Sequence, residues 1–149
     1  MMYRHLLICL SLFATILLSG CIGFERKSET PALPQYAGSG GMTEWNIKPE
    51  AYLYHYENGF TGSDALGWPE QLQFVWSRLG AAANCQIDFD KPQMITRLQQ
   101  NFGESYATHE LNGIDFHRIQ SHKVPLFCSE ERMKEIEDQL KKFHRGAFN

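Results

Sequence analysis

Three segments of the chain place apolar side chains three or four residues apart, the spacing that forms one face of an α-helix. Their apolar positions are Leu72, Val75, Trp76 and Leu79 in the first, Ile95, Leu98 and Phe102 in the second, and Met133, Ile136, Leu140 and Phe143 in the third. The first follows Pro69 and reaches Gly80, a residue type that commonly ends helices. Asp90 and Ser129 can cap the other two at their amino termini, and Gly103 can end the second. The pattern therefore predicts three helices.

Other segments alternate apolar and polar residues, as a half-buried strand does. The clearest case runs from Tyr106 to Ile119 around Asn112-Gly113, the dipeptide that a two-residue hairpin turn prefers. We therefore predict an antiparallel hairpin with its turn at Asn112-Gly113. A shorter alternation at Cys85, Ile87 and Phe89 predicts one more strand.

The tyrosines at positions 52, 54 and 56 leave two structures open. They alternate with other residues up to Asn58-Gly59, which fits a strand that ends in a turn. Pro49 also fits the first turn of a helix, and the window is too short to separate the two states.

Taken together, these elements predict an α+β fold. We expect a small antiparallel sheet that includes the hairpin, packed by about three helices and joined by one disulfide. Helices and strands do not alternate regularly enough for a parallel, doubly wound sheet.

The amino terminus shows the pattern of an export signal. Arg4 precedes an almost unbroken apolar run from Leu6 to Leu18, and the small residues Ser19 and Gly20 follow it. About 13 residues cover only about 20 Å as a helix, which is short of the roughly 30 Å hydrocarbon core of a bilayer. We therefore expect residues 1–20 to be a signal peptide that is removed, rather than a transmembrane helix.

The four residues Leu18-Ser19-Gly20-Cys21 resemble the lipobox of bacterial lipoproteins. The resemblance implies a diacylglycerol thioether on Cys21 and acylation of its new amino group, so the partner at this end is a membrane. Several acyl chains make such attachment effectively stable, whereas one does not. In the family's sorting pattern an aspartate after the cysteine retains the protein in the inner membrane; here Ile22 implies the periplasmic face of the outer membrane.

The rest of the chain divides into a linker and one domain. Residues 21–43 carry Lys, Glu, Ser and Pro and a glycine-rich cluster, a composition that predicts a flexible tether. Residues 44–149 then form a single domain. Of the cysteines, only Cys85 and Cys128 lie in this domain, and because an exported protein meets an oxidising compartment, we predict a disulfide between them.

Candidate chemistry is sparse. The formal net charge of −3 and the lack of a basic stripe argue against nucleic acid as a partner. No serine-nucleophile elbow or spaced pair of metal-binding histidines occurs, so we expect no cofactor, no metal and no catalytic residue. Glu110, Asp115 and His117 would share the outer face of the hairpin, but three ligands on one ribbon make an incomplete metal site.

Aromatic residues are concentrated around a glycine-containing loop, at Tyr52, Tyr54, Tyr56, Phe60 and Trp68. Rigid, amphipathic rings of this kind are enriched where proteins bind each other. The alternative is that they fill the core of a small domain, which has few other large groups to bury.

These observations favour a non-enzymatic, lipid-anchored envelope protein that binds another protein, as an inhibitor or an immunity-type factor. A first alternative is an accessory or scaffold subunit of an outer-membrane or secretion assembly. A second is a periplasmic hydrolase, which would need Glu110, Asp115 and His117 gathered in a cleft.

Overall fold

A computed structural model of the chain describes residues 32–43, 46–65, 67–103 and 110–149, except for the side chains of residues 110–112. The fold is α+β and mostly helical, which confirms the predicted class. Within the described residues there are five helices: α1 (Pro49–Asn58), α2 (Glu70–Asn84), α3 (Lys91–Phe102), α4 (Glu110–His122) and α5 (Glu130–His144). Strands β1 (Met42–Thr43) and β2 (Asn46–Ile47) pair antiparallel, with Met42 opposite Ile47.

Three helices form where the sequence predicts them, and side-chain caps explain the starting points of two of them, α3 and α5. The Asp90 side chain accepts a hydrogen bond from the Gln93 amide at 2.9 Å at the start of α3. Ser129 accepts one from the Arg132 amide at 3.2 Å at the start of α5. Each cap satisfies one of the backbone donors that a helix leaves unpaired in its first turn.

The tyrosine-rich segment is a helix, so of the two structures left open the strand is wrong. Pro49 occupies the first turn of α1, after Lys48 in an extended conformation. Tyr52 and Tyr56 are buried one helical turn apart, and His55 is buried beside them. Tyr54 points outward, so the alternation of tyrosines does not correspond to alternating burial.

Helix α2 runs past the residue predicted to end it. Gly80 lies inside the helix, and the chain leaves it at Cys85 and at Gln86, whose φ is +58°. The Ile87 amide then bonds to the Ala82 carbonyl at 2.9 Å, the reversal that closes many helices around a left-handed residue. Cys85, Ile87 and Phe89 therefore lie in a turn and loop, and the predicted strand is wrong.

The predicted hairpin is also wrong, because Asn112 and Gly113 lie inside α4. The glycine serves close packing instead of a turn: a Cβ at Gly113 would lie 2.3 Å from the Trp76 ring. Gly80 has the matching role on α2, where a Cβ would lie 2.6 Å from the backbone of Ile114 and of Arg118. Two glycines thus let α2 and α4 approach closely. Residues 106–109 of the predicted hairpin lie outside the described residues.

The Cys85–Cys128 disulfide is present, with the two Cα atoms 5.4 Å apart, and it joins the end of α2 to the start of α5. The folded part begins before residue 44, since Met42 is buried and Tyr36 packs against the core. The tether predicted for residues 21–43 therefore overlaps the fold. Residues 1–31, which include the predicted signal peptide and Cys21, lie outside the described part.

None of the helices described here is both long and apolar enough to cross a membrane. All five helices contribute to the core, and α3 does so through Met94 and Leu98. The largest fully buried side chains of the core are Trp76, Tyr52, Tyr56, Phe60, Phe143, Leu72, Leu79, Met94, Leu98, Ile114, Ile136 and His117.

Candidate functional site

Three of the five aromatic residues predicted to contact a partner lie in the core. Tyr52, Tyr56 and Phe60 are buried, which is the alternative that the sequence left open for them. Tyr54 is 38% exposed, and Trp68 is half-buried with its ring edge-on to Trp76 at 5.2 Å between centroids. Only Tyr54 and part of Trp68 can therefore contribute to a surface.

Tyr52 belongs to a buried polar network. Its hydroxyl lies 3.1 Å from Nδ1 of His117, and His117 Nε2 lies 2.7 Å from Oε1 of Gln73. The Gln73 amide donates to the Ala65 carbonyl at 2.7 Å, which orients Oε1 towards the imidazole. His117 thus donates through Nε2 and accepts through Nδ1, so a neutral ring satisfies every partner. Burial raises the pKa of Tyr52, which keeps its hydroxyl a donor.

His117 is a structural residue in this arrangement. Burial, with a contribution from the positive charge of Arg78, lowers its pKa to about 3. Asp115, two residues earlier on α4, lies at the surface within 3.6 Å of both Lys91 and Arg118. Asp115 and His117 therefore do not share a face, contrary to the hairpin prediction. The side chain of Glu110 lies outside the described part.

Tyr56 is held by a second cluster. Its hydroxyl donates to Glu135 at 3.0 Å, and the same carboxylate lies 3.3 Å from Nε of Arg78. The Arg78 guanidinium lies between two rings, 4.0 Å from the centroid of Tyr56 and 4.2 Å from that of Phe74. Burial raises the pKa of Tyr56. Both tyrosines thus support the fold.

A cluster of side-chain contacts lies where the disulfide joins α2 to α5. Asn84 lies between two neighbours there: His122 Nδ1 is 3.0 Å from its amide oxygen, and its amide nitrogen is 3.7 Å from Sγ of Cys128. The last turn of α4 therefore sits beside the disulfide. We call the surface formed by Asn84, Ile119, His122, Pro125, Leu126 and the disulfide the disulfide end.

Leu126 is the most exposed large apolar side chain among the described residues, at 64%. It follows Pro125 in a turn closed by the Phe127 amide and the Val124 carbonyl at 3.3 Å. Its φ is +52°, as the third residue of a type II turn requires, and glycine is the residue that suits that position. A left-handed conformation costs an ordinary residue about 1–2 kcal/mol. Leu126 is exposed, so burial of its side chain does not offset this cost. Leucine also has no preference for a left-handed backbone that would offset it.

Ile119 extends the same surface. It is 46% exposed and lies one helical turn before His122, on the same face of α4. Of the three large hydrophobic residues that the described part exposes, two therefore lie at the disulfide end, and Tyr54 is the third.

An open groove of about 590 Å³ also borders the disulfide. Ile87, Met133 and Leu140 contribute its apolar surface, together with Cys85. Charged and polar residues surround it, namely Gln86, Asp88, Glu137, Lys141 and His144. The groove is open to solvent, whereas small-molecule sites enclose most of their ligand.

The described residues contain no group of three or more histidine, cysteine or acidic side chains that could hold a metal ion. No protein-family model, no curated protein and no solved structure matches the chain.

Leu126 was not among the residues predicted from the sequence, although one local signal was present. Pro125 favours the second position of a turn, and the position after it favours glycine in a type II turn. A leucine there is a conflict between turn geometry and side chain, and such conflicts concentrate at functional positions.

Proposed function

We propose that this chain is a non-enzymatic protein of the bacterial envelope, lipid-anchored at Cys21, that binds another protein through its disulfide end. The single observation that carries the protein-binding part is the exposed, left-handed Leu126. The lipid anchor is supported by the lipobox Leu18-Ser19-Gly20-Cys21. Together they favour an inhibitor or immunity-type factor held at the periplasmic face of the outer membrane.

The rigidity of the turn favours a protein partner. Pro125 restricts the backbone before Leu126, and two residues after it Cys128 is covalently fixed to Cys85. A preformed projection of this kind loses little entropy when it enters a pocket, which raises affinity. Insertion into a fluid bilayer gains nothing from such a fixed shape. The partner surface would therefore be an apolar pocket large enough for one leucine side chain.

Tethering supports the same function. A lipid-anchored domain and an envelope partner are confined to a thin layer, so the effective concentration of each for the other is high. A contact of modest area around Leu126 and Ile119 then suffices for capture.

The partner-binding proposal is tested with Leu126→Gly and a matched control, Gln86→Gly. Both residues are exposed with left-handed φ, +52° and +58°, so glycine relieves the same backbone strain in each variant. We expect the free energy of unfolding of both variants to match or exceed that of the original chain, within about 1 kcal/mol. Of the two variants, only Leu126→Gly removes an apolar side chain from the proposed contact with the partner.

Binding is measured in the cells that make the protein, with a photo-crosslinking amino acid at position 126 of the full chain. We expect one discrete crosslinked protein, absent when the crosslinker is at the exposed Gln99 of α3. Recovery of that protein by a tagged chain should fall at least tenfold in Leu126→Gly and remain unchanged in Gln86→Gly. Equal recovery with both variants would refute the proposal, as would crosslinks to phospholipid alone.

Two further measurements separate the parts of the proposal. Metabolic labelling with palmitate should mark the original chain and not Cys21→Ala; equal labelling would exclude the anchor. A stoichiometric complex in detergent-solubilised membranes would favour the scaffold alternative, whereas a partner found only when the cell is challenged favours the inhibitor.

A further inference from the structure

The two sulfur atoms of the disulfide lie at helix ends of opposite polarity. Cys85 directly follows α2, and its amide bonds to the Ala81 carbonyl at 2.8 Å. Cys128 directly precedes Ser129, the residue that caps the amino terminus of α5. The carboxyl end of a helix carries a partial negative charge and the amino end a partial positive charge. A negative charge on sulfur is therefore stabilised at Cys128 and destabilised at Cys85.

A side-chain donor adds to this difference. The Asn84 amide nitrogen donates to Sγ of Cys128 at 3.7 Å, and His122 Nδ1, 3.0 Å from the amide oxygen, holds the amide in this orientation. Hydrogen bonds to a charged acceptor are about twice as strong as neutral ones, so this contact strengthens when the sulfur becomes negative. Glu130 and Glu131 in the first turn of α5 oppose such a charge, but both are exposed and water screens them. Asn84 thus favours Cys128 as the sulfur that leaves as a thiolate.

The two sulfur atoms also differ in access from solvent. Cys85 lines the open groove of about 590 Å³, next to the apolar side chains of Ile87, Met133 and Leu140. Among the described residues that line this groove, Cys128 is absent. A nucleophile that enters the groove therefore reaches Sγ of Cys85 rather than Sγ of Cys128.

We propose that the Cys85–Cys128 disulfide is a site of thiol–disulfide exchange, at which an external thiolate attacks Sγ of Cys85 and Sγ of Cys128 leaves. A bond forms between the incoming sulfur and Sγ of Cys85, and the bond between the two cysteines breaks. The electron pair of the broken bond passes to Sγ of Cys128, which then takes a proton from water. The incoming thiol is oxidised to a mixed disulfide, and Cys128 is reduced. Exchange is faster when the leaving sulfur is the more stable thiolate, which assigns these roles to the two cysteines.

Exchange also frees the turn that carries Leu126. Cys128 lies two residues after Leu126, and its bond to Cys85 fixes that end of the turn. In the mixed disulfide this covalent support is lost, so a thiol would weaken the binding of a partner through Leu126. This consequence rests on the proposed function, whereas the exchange reaction does not.

The exchange is tested with reduced glutathione and the full chain in detergent micelles. Samples are quenched at early times with N-ethylmaleimide in mild acid, and peptide mass spectrometry locates each modification. We expect glutathione on Cys85 with maleimide on Cys128, in about ten times the amount of the reverse product or more. Equal amounts of the two products would overturn the proposal, as would a folded chain that forms no mixed disulfide.

The role of Asn84 is tested by the rate of the same reaction. Asn84→Asp keeps the size of the side chain but places a negative oxygen beside the leaving sulfur, so exchange should slow about tenfold. Asn84→Ala, which only removes the donor, should slow it about threefold. The matched control is Asn101→Asp, because Asn101 lies in the last turn of α3 and bonds to the Arg97 carbonyl at 2.8 Å, far along the chain from the disulfide.

Thermal unfolding shows that each variant is folded at the temperature of the reaction. Asn101→Asp should exchange at the rate of the original chain. Equal rates in the two aspartate variants would overturn the assignment of Cys128 as the leaving sulfur.

A second arm distinguishes the source of the thiol. Reduced thioredoxin, a protein dithiol, replaces glutathione, and rates are compared per thiolate. A higher rate with the protein would support exchange with a protein thiol, and a lower rate would support exchange with a small thiol. Neither measurement involves the partner of Leu126, so failure of the exchange is distinguishable from failure of the proposed function.

Discussion

The indole of Trp76 lies against the backbone of Gly113 so closely that a Cβ on that glycine would be 2.3 Å from the ring. Real Cβ atoms do not approach other heavy atoms to this distance, so the contact between α2 and α4 depends on the missing side chain. Trp76 is 2% exposed, and the close fit buries nearly its whole surface. A single glycine therefore decides whether the largest side chain of the core can be buried.

Gly113→Ala should lower the free energy of unfolding by about 2 kcal/mol, since overpacking of a dense core outweighs the helix preference of alanine. Denaturant unfolding measures the loss. The control is a double-mutant cycle with Trp76→Leu, in which the smaller side chain leaves room for the new methyl group. If alanine costs the same in both backgrounds, the contact with Trp76 is not the cause.

Gly80→Ala should be at least as costly. A Cβ there would lie 2.6 Å from the Ile114 carbonyl oxygen and the Arg118 amide nitrogen, and backbone atoms yield less readily than side chains. We expect a loss of about 2–3 kcal/mol in chemical denaturation. A stability equal to that of the original chain would show that α2 and α4 can separate at little cost.

Removing the disulfide should destabilise the domain without changing its fold. The bond closes a loop with a sequence separation of 43 residues, for which the chain-entropy model gives about 4 kcal/mol. Cys85→Ala combined with Cys128→Ala should show this loss in urea unfolding. A reducing agent should weaken the original chain by a similar amount and leave the double variant unaffected, which is the internal control.

His117 should make the domain less stable in mild acid. The unfolded chain takes up a proton on this imidazole near pH 6.5, whereas the folded chain does so only near pH 3. Stability is therefore lost as pH falls from about 6.5 towards 3, by at most about 1.4 kcal/mol per pH unit. Urea unfolding between pH 6 and pH 5, where most carboxylates stay ionised, measures the slope.

The dependence of the free energy of unfolding on pH should flatten in His117→Asn. It should persist in His122→Gln, whose imidazole is exposed in the original chain. A slope that survives the loss of His117 would assign the effect to another group.

Arg78 should not tolerate lysine. Its guanidinium packs between Tyr56 and Phe74 and contacts Glu135 at 3.3 Å, and an ammonium cannot stack on two rings at once. Arg78→Lys should cost about 1–2 kcal/mol in thermal or urea unfolding. Arg132→Lys is the matched control, because its guanidinium lies further from its rings, at 4.7 and 5.2 Å. Equal losses would mean that stacking does not distinguish the two sites.

Much of the helical structure was predictable because its signals are local. Asp90 and Ser129 cap helices through hydrogen bonds that span three residues, and Gly103 ends α3 as predicted. The disulfide was predictable by elimination, since the domain holds two cysteines.

The partner-contact prediction could not be refined from sequence. The identity of an aromatic residue does not reveal whether it faces water or the core. Only tertiary packing places Tyr52, Tyr56 and Phe60 inside. Leu126 depends on a turn whose conformation neighbouring residues impose, so its exposure became visible only in three dimensions.

The sequence by itself determined where α2, α3 and α5 begin and which cysteines pair, because helical spacing, caps and residue counts are local signals. The tertiary structure decided that Asn112-Gly113 is helical rather than a turn, and that Gly80 serves close packing rather than the end of a helix. The preference of Asn-Gly for a turn contributes less free energy than the burial of Trp76 against a second helix. That contact joins residues far apart in the chain, and no short window of sequence contains both partners.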